Sequence, residues 1–242
     1  MVYVAGVDGT RDGWAVVIQD GDALTTRKVA VLSDLLNEER PFAIIAVDIP
    51  IGLLDAYEVG GRACDRAARQ ALGRPRGSSV FPAPIRPVLT ATTWEEACLC
   101  SRNSSANGKA LTKQTFAILP KIREVDQLLQ SRPELQEVIK EVHPEVCFRE
   151  LAPKPMAHSK ATPSGRDERR QALKGVFPEW HRTEEAGLKQ GLKSVDILDA
   201  GAACWSARRC AEDGGYCLPR SGFSPPDAAL FDSTGLRMAI WV

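Results

Sequence analysis

Apolar and polar positions change rhythm along the chain. In the first fifty residues the apolar runs are short and β-branched, and turn residues separate them. Residues 2–7 predict a strand ending at Asp8, and GTRDG (9–13) predicts a tight turn. Residues 14–19 predict a second strand, Gly21-Asp22 the next turn, and the loosely alternating 24–31 a third strand. Ser33 caps a short helix to Glu39, and Pro41 prevents its continuation. Residues 42–47 (FAIIAV) are apolar throughout, which suits a central strand covered on both faces, and they end on Asp48. The pattern is three antiparallel strands, then a helical crossover into a fourth, parallel strand.

Beyond residue 55 the periodicity turns helical. Residues 59–72 predict a basic helix closed by Gly73, followed by a Pro/Gly/Ser-rich loop at 74–92. Thr93 and Glu96 form a capping box for a helix through Cys100, and 112–130 predict a helix kinked at Pro120. Residues 138–142 alternate as a fifth strand that exits at His143-Pro144-Glu145. A mobile loop is expected at 152–164, a helix with a basic face at 165–177 and a short helix at 184–190. Ser194 caps a last long helix to about Glu212, with Val195, Leu198, Ala202 and Trp205 as its core stripe. Residues 228–231 and 236–242 flank an Asp-Ser-Thr-Gly turn and predict a closing hairpin. No internal repeat or linker interrupts the chain. Residues 1–242 are therefore expected to form one α/β domain with a large helical insertion around 55–136.

Composition narrows the class. At 242 residues and 44% hydrophobic content the chain is long and apolar enough for a well-packed globular domain. No apolar run approaches a membrane span, and the N-terminus lacks the pattern of an export signal. Seven cysteines contain no C-x-x-C pair, so free thiols and a cytoplasmic location are expected. Net charge is zero, which makes no bulk case for nucleic acid. The charge is unevenly spread: residues 1–61 carry a net −6 and residues 62–86 a net +5. Charge alone favours a solvated helix face and a loop at 62–86 over a phosphate-binding surface.

The candidate chemistry lies in the acids. Strands ending at Asp8 and Asp48 put both carboxylates at the carboxyl edge of the sheet, where ligands bind in open α/β folds. Asp196 and Asp199, three apart, share a helix face. If that helix crosses the sheet the acids meet, and clustered carboxylates call for a divalent cation with hard-oxygen preference, magnesium or manganese. Singly, each acid also has a structural use, in a turn or at a helix N-terminus. P-loop and G-x-S-x-G patterns are missing, and His143, His158 and His181 lack metal-ligand spacing.

The segments GVDGTRDGW, AVDIPIGL, RACDRAAR, SSVFPAP, LTKQTFAILPKIREVD, EVHPEVCF, AHSKATPSGRDERR, DILDA and GLRMAIW together resemble the family labelled domain of unknown function 429, a predicted nuclease with the ribonuclease H fold. The resemblance spans nearly the whole chain. It implies a ribonuclease H-like five-stranded mixed sheet, its first three strands antiparallel, with acids on strand one, strand four and the final helix. Those positions correspond to Asp8, Asp48 and Asp199. It further implies two-metal hydrolysis of a phosphodiester, with Asp8, Asp48 and Asp199 as metal ligands and Asp196 or Glu145 completing the shell. Arg62, Arg66, Lys113, Lys160 and Arg166 are the candidates for contact with substrate phosphate. The implied partner is a nucleic acid or a nucleotide.

Two other classes remain open. Gly6-Val7-Asp8-Gly9-Thr10 is also similar to the phosphate-binding hairpin of the related sugar-kinase and chaperone-ATPase group, which implies phosphotransfer. A non-catalytic nucleic-acid-binding protein on the same fold is the other. The C-terminal GLRMAIWV strand is a possible sheet edge for pairing, so a homodimer is an open expectation.

Overall fold

Short β-branched runs broken by turn residues, then long segments of helical periodicity, fold as those patterns dictate. The structure, a computed structural model, describes residues 2–152, 154–220 and 230–242. In chain order the elements are β1 (Tyr3–Thr10), β2 (Gly13–Asp20), β3 (Ala23–Val29), β4 (Ile44–Val47), α1 (Ala63–Leu72), α2 (Trp94–Asn103), α3 (Lys113–Ser131), β5 (Ile139–Glu141), α4 (Pro144–Leu151), α5 (Pro163–Val176), α6 (Trp180–Lys189), α7 (Ser194–Ala211), β6 (Cys217–Leu218) and β7 (Ile240–Trp241). They fall into two compact units. One comprises Met1–Ile49, Glu137–Cys217 and Trp241–Val242, and the other Pro50–Gln136 and Leu218–Ile240. The segment expected as an insertion at 55–136 thus forms a unit of its own, joined by a late segment of chain.

The first unit holds a five-stranded mixed sheet in the order β3-β2-β1-β4-β5. The first three strands are antiparallel, and β4 and β5 run parallel to β1. A 3-10 turn at Leu32–Asn37 takes the place of the short crossover helix. The β1–β2 ladder extends to Thr10↔Gly13, so Asp8 lies within the strand, opposite Ala15, rather than at its end. Register then decides which face each acid occupies. Val4, Gly6 and Asp8 share one face of β1. Gly6 pairs with Ala46 of β4, so Asp48, two residues beyond Ala46, points to that same face. Asp48 N–H donates to Val7 C=O at 2.9 Å and keeps the two edges in line.

That face is covered by α7, which packs on β1, β2 and β4. Every residue from Ile197 to Ala207 is buried. The expected single core stripe is replaced by burial all round, because the sheet lies on one side and α4, α5 and α6 pack on α7 as well. Small residues make this close fit possible. A Cβ on Gly6 would lie 2.0 Å from Cys204 N and 2.1 Å from Ala200 O, so only glycine admits the α7 backbone. A Cβ on Gly201 would meet the Trp180 ring at 2.3 Å. Pro144 at the first position of α4 starts a helix that the alternating pattern before it did not reveal.

Sheet edges are used within the chain. On β3, the Gln190 side chain accepts from Lys28 N–H and donates to Thr26 C=O. The C-terminal strand expected to offer a free edge is paired: β7 lies beside β6, and Trp241 bridges Val142 in parallel register. Asp232–Gly235 forms the expected turn, with Phe231 opposite Arg237; residues 228 and 229 of the expected hairpin lie outside the described residues.

The second unit is helical and pinned by buried ion pairs. Arg86 bonds Asp126 at 2.9 Å and also bonds Asp232, which joins its early and late segments. α3 runs unbroken through Pro120. Among the described residues no helix is long and apolar enough to cross a membrane. All seven cysteines are free, and burial pushes the Cys147 and Cys204 thiols up to about 12, so both serve as small core residues.

Candidate functional site

Four charged side chains converge in the first unit where β1, β4, α7 and the loop before α5 come together. Asp8 and Asp48 reach the site from adjacent parallel strands and lie close enough to act on each other's charge. Asp199 reaches it from the second turn of α7 and is 1% exposed. Lys160, from the loop, donates to Asp199 Oδ2 at 2.5 Å.

Electrostatics reflect that crowding. Burial, and then the charges of Asp48 and Asp199, hold the Asp8 carboxyl well above the usual carboxylate range. Burial first, together with Asp199 and Glu145, raises Asp48 to about 7, although Lys160 opposes the rise. Burial disfavours the Lys160 ammonium, yet Asp199, Asp48 and Asp8 outweigh it and push its pKa up. Asp196 sits one turn earlier on α7, half-buried, and is raised by burial and by Asp199. Its charge reaches Asp8 as well.

The loop carrying Lys160 was expected to be mobile, but its hydrogen bonds hold it. Glu168 accepts from Ala157 and His158 N–H at 2.7 and 3.0 Å. Ser159 C=O accepts from the Thr162 hydroxyl at 2.8 Å and from Thr162 N–H at 2.9 Å. Arg166 donates to Ala161 C=O at 2.9 Å, so this candidate phosphate contact braces the loop. Arg169, fully buried, donates to the carbonyls of His158 and Gly165 and pairs with Glu145. Nothing in the local sequence pattern singled out Arg169; its arginine-rich helix face reads as solvated.

Glu145 is buried on the first turn of α4, with Oε1 engaged by Arg169 and Oε2 without a hydrogen-bond partner among the described residues. The remaining candidates belong to the second unit. Arg62 is 2% exposed and donates to Asp65 at 2.7 Å and to the carbonyls of Ile51 and Gly52. Its guanidinium is committed to structure, which removes it as a phosphate contact. Arg66 is half-exposed, donates to Gly61 C=O and lies 3.5 Å from Glu58. Lys113 is exposed and stands over the Trp94 ring, 5.3 Å from its centroid.

Among the described residues no group of three or more His, Cys, Asp or Glu side chains stands ready to hold a metal ion. The positive partner of the cluster is Lys160. The donor set nonetheless suits a hard divalent cation: three carboxylates, of which Asp8 and Asp199 are buried and Asp8 and Asp48 are raised in pKa by burial and neighbouring acids, with no sulfur or imidazole among them.

No curated protein and no solved structure matches the chain. A family model described as "Protein of unknown function (DUF429)" matches residues 6–222, nearly the whole chain, and on the strength of that match the protein belongs to this family.

Proposed function

We propose that the protein is a magnesium- or manganese-dependent hydrolase of phosphodiesters, built on a ribonuclease H-like fold and acting on nucleic acid or nucleotide in the cytoplasm. The observation that carries this reading is the convergence of Asp8, Asp48 and Asp199 from strand one, strand four and the last long helix. The antiparallel first three strands support it too.

Asp8, Asp48 and Asp199 would hold the cation, with Asp196, one turn earlier on α7, as a further acid. Bound there, a divalent ion supplies Lewis acidity toward a phosphoryl oxygen and lowers the pKa of water. Burial raises Asp8 and Asp48 above the usual carboxylate range, so cation binding by these carboxylates would strengthen as pH rises. The Lys160 side chain, 42% exposed, orients a substrate phosphate from the open side of the site. Glu145 stays with Arg169 and holds the loop that carries Lys160.

The test is cleavage of plasmid DNA, structured RNA and a small phosphodiester by purified protein with and without manganese. Metal-dependent cleavage is expected. Asp8→Asn and Asp199→Asn should each lower it by at least about a thousandfold while circular dichroism shows folded protein. Full activity in either variant would refute the reading. So would phosphate release from a nucleoside triphosphate without any diester cleavage, which would favour phosphotransfer.

A further inference from the structure

We propose that Lys160 is the built-in counter-ion of the carboxylate cluster, holding Asp199 until a divalent cation takes its place. The inference rests on the reading of Asp8, Asp48 and Asp199 as cation ligands, and it concerns how that site is kept and opened.

Asp199 is almost wholly buried within α7, and its Oδ2 takes a hydrogen bond from Lys160. A carboxylate in such a position needs a positive partner or a proton. Lys160 faces three acids at once, since Asp199, Asp48 and Asp8 all act on its charge. One ammonium therefore offsets the repulsion that a cation would otherwise relieve.

The placement is built by the residues on either side. Glu168 fixes the backbone at Ala157 and His158, and Thr162 fixes Ser159. A Cβ on Gly165 would lie 1.9 Å from Ser159 O, so α5 accepts that carbonyl only because residue 165 is glycine. Arg169, neutralised by Glu145, holds the His158 carbonyl from below. Ala157, His158 and Ser159 before Lys160 and Ala161 and Thr162 after it are thus held, while the lysine side chain itself is tied, among the described residues, only at its ammonium, to Asp199. A divalent ion on Asp199 would repel the ammonium, and the side chain, already partly exposed, has solvent to move into.

The consequence is competition: the protein's own lysine weakens cation binding and keeps the cluster folded without metal. Calorimetric titration with manganese at pH 8 tests this in wild type, Lys160→Met and Lys160→Arg. The methionine variant is expected to bind manganese about ten- to a hundredfold more tightly than wild type. The arginine variant keeps the charge and should stay near wild type. Equal or weaker binding by Lys160→Met overturns the inference while leaving the cation site standing. An absence of manganese binding in all three proteins overturns both.

A measurement on the unaltered protein covers the case in which Lys160→Met fails to fold. Competitive acetylation read by mass spectrometry should show Lys160 labelling several-fold faster with saturating manganese. Lys189, in an exposed pair with Glu185, should not change. Unchanged or slower labelling of Lys160 overturns the inference.

Discussion

Asp48 makes the stability of the metal-free protein depend on pH in the sense opposite to that of an ion-paired carboxylate. Its ordinary value is 3.8 and its value in the fold about 7. Below 3.8 both the folded and unfolded chains hold the proton. Between 3.8 and about 7 only the folded chain keeps it, so stability falls as pH rises through that window. Each unit is worth ~1.4 kcal/mol, which sets a loss on the order of 1–4 kcal/mol by pH 8. Thermal melts of wild type and Asp48→Asn should converge near pH 4 and separate toward pH 8, with the variant the more stable. Manganese at pH 8 should close the gap from the wild-type side. Asp232 has the opposite sign. Burial alone would raise it, but N–H donors from Leu53 and Leu236, and then Arg86, hold it below the usual range. Its contribution is present above pH 3.8 and lost as pH falls.

At the scale of elements, the site depends on how closely α7 approaches β1. Gly6 lies on the same strand face as Asp8 and touches α7 at Ala200 and Cys204, just beyond Asp199. Gly6→Ala must drive these backbones apart. Overpacking of this kind costs about 3 kcal/mol or more, as chemical denaturation would show, and should also abolish the proposed cleavage in the plasmid assay. Gly175 in α5 is the control: a Cβ there meets nothing within 4 Å, and Gly175→Ala should be neutral or stabilising by up to about 1 kcal/mol. Strand periodicity made Asp8 and Asp48 legible, because alternation and turn residues are local. It did not make Gly6 legible, since a close approach leaves no trace in the residues beside it. The single stripe read on the last helix failed for the same reason: stripes record one buried side, and α7 is buried on all of them.

At the scale of the whole molecule, the chain leaves the sheet-bearing unit after Ile49, returns at Glu137, leaves again after Cys217 and returns at Trp241. The second unit is therefore assembled from two separated stretches. Arg86 ties them: its side chain is 14% exposed, Asp126 is 9% exposed and Asp232 is fully buried. Arg86→Met leaves two buried carboxylates without their cation, so a loss of about 3–5 kcal/mol is expected in urea unfolding. A loss below about 1 kcal/mol would show that the two stretches are held by packing alone. The arginine-rich run at 62–86 stands out in the sequence as charge. In the fold Arg62, Arg69 and Arg86 all bond groups of their own unit, and the net charge of the run says little about partners.

The amino-acid sequence by itself determined the order of the five sheet strands and most of the long helices, though not α4, and singled out Asp8, Asp48 and Asp199 as candidates. Both follow from short-range rules: alternation, capping, turn chemistry and the placement of acids along each element. Only the tertiary structure decided what surrounds those acids. Lys160 on Asp199 and Arg169 on Glu145 are matters of burial fixed by segments far apart in the chain, whereas Arg62 meets Asp65 only three residues on. A charge in a sequence carries its sign; its partner is chosen by packing.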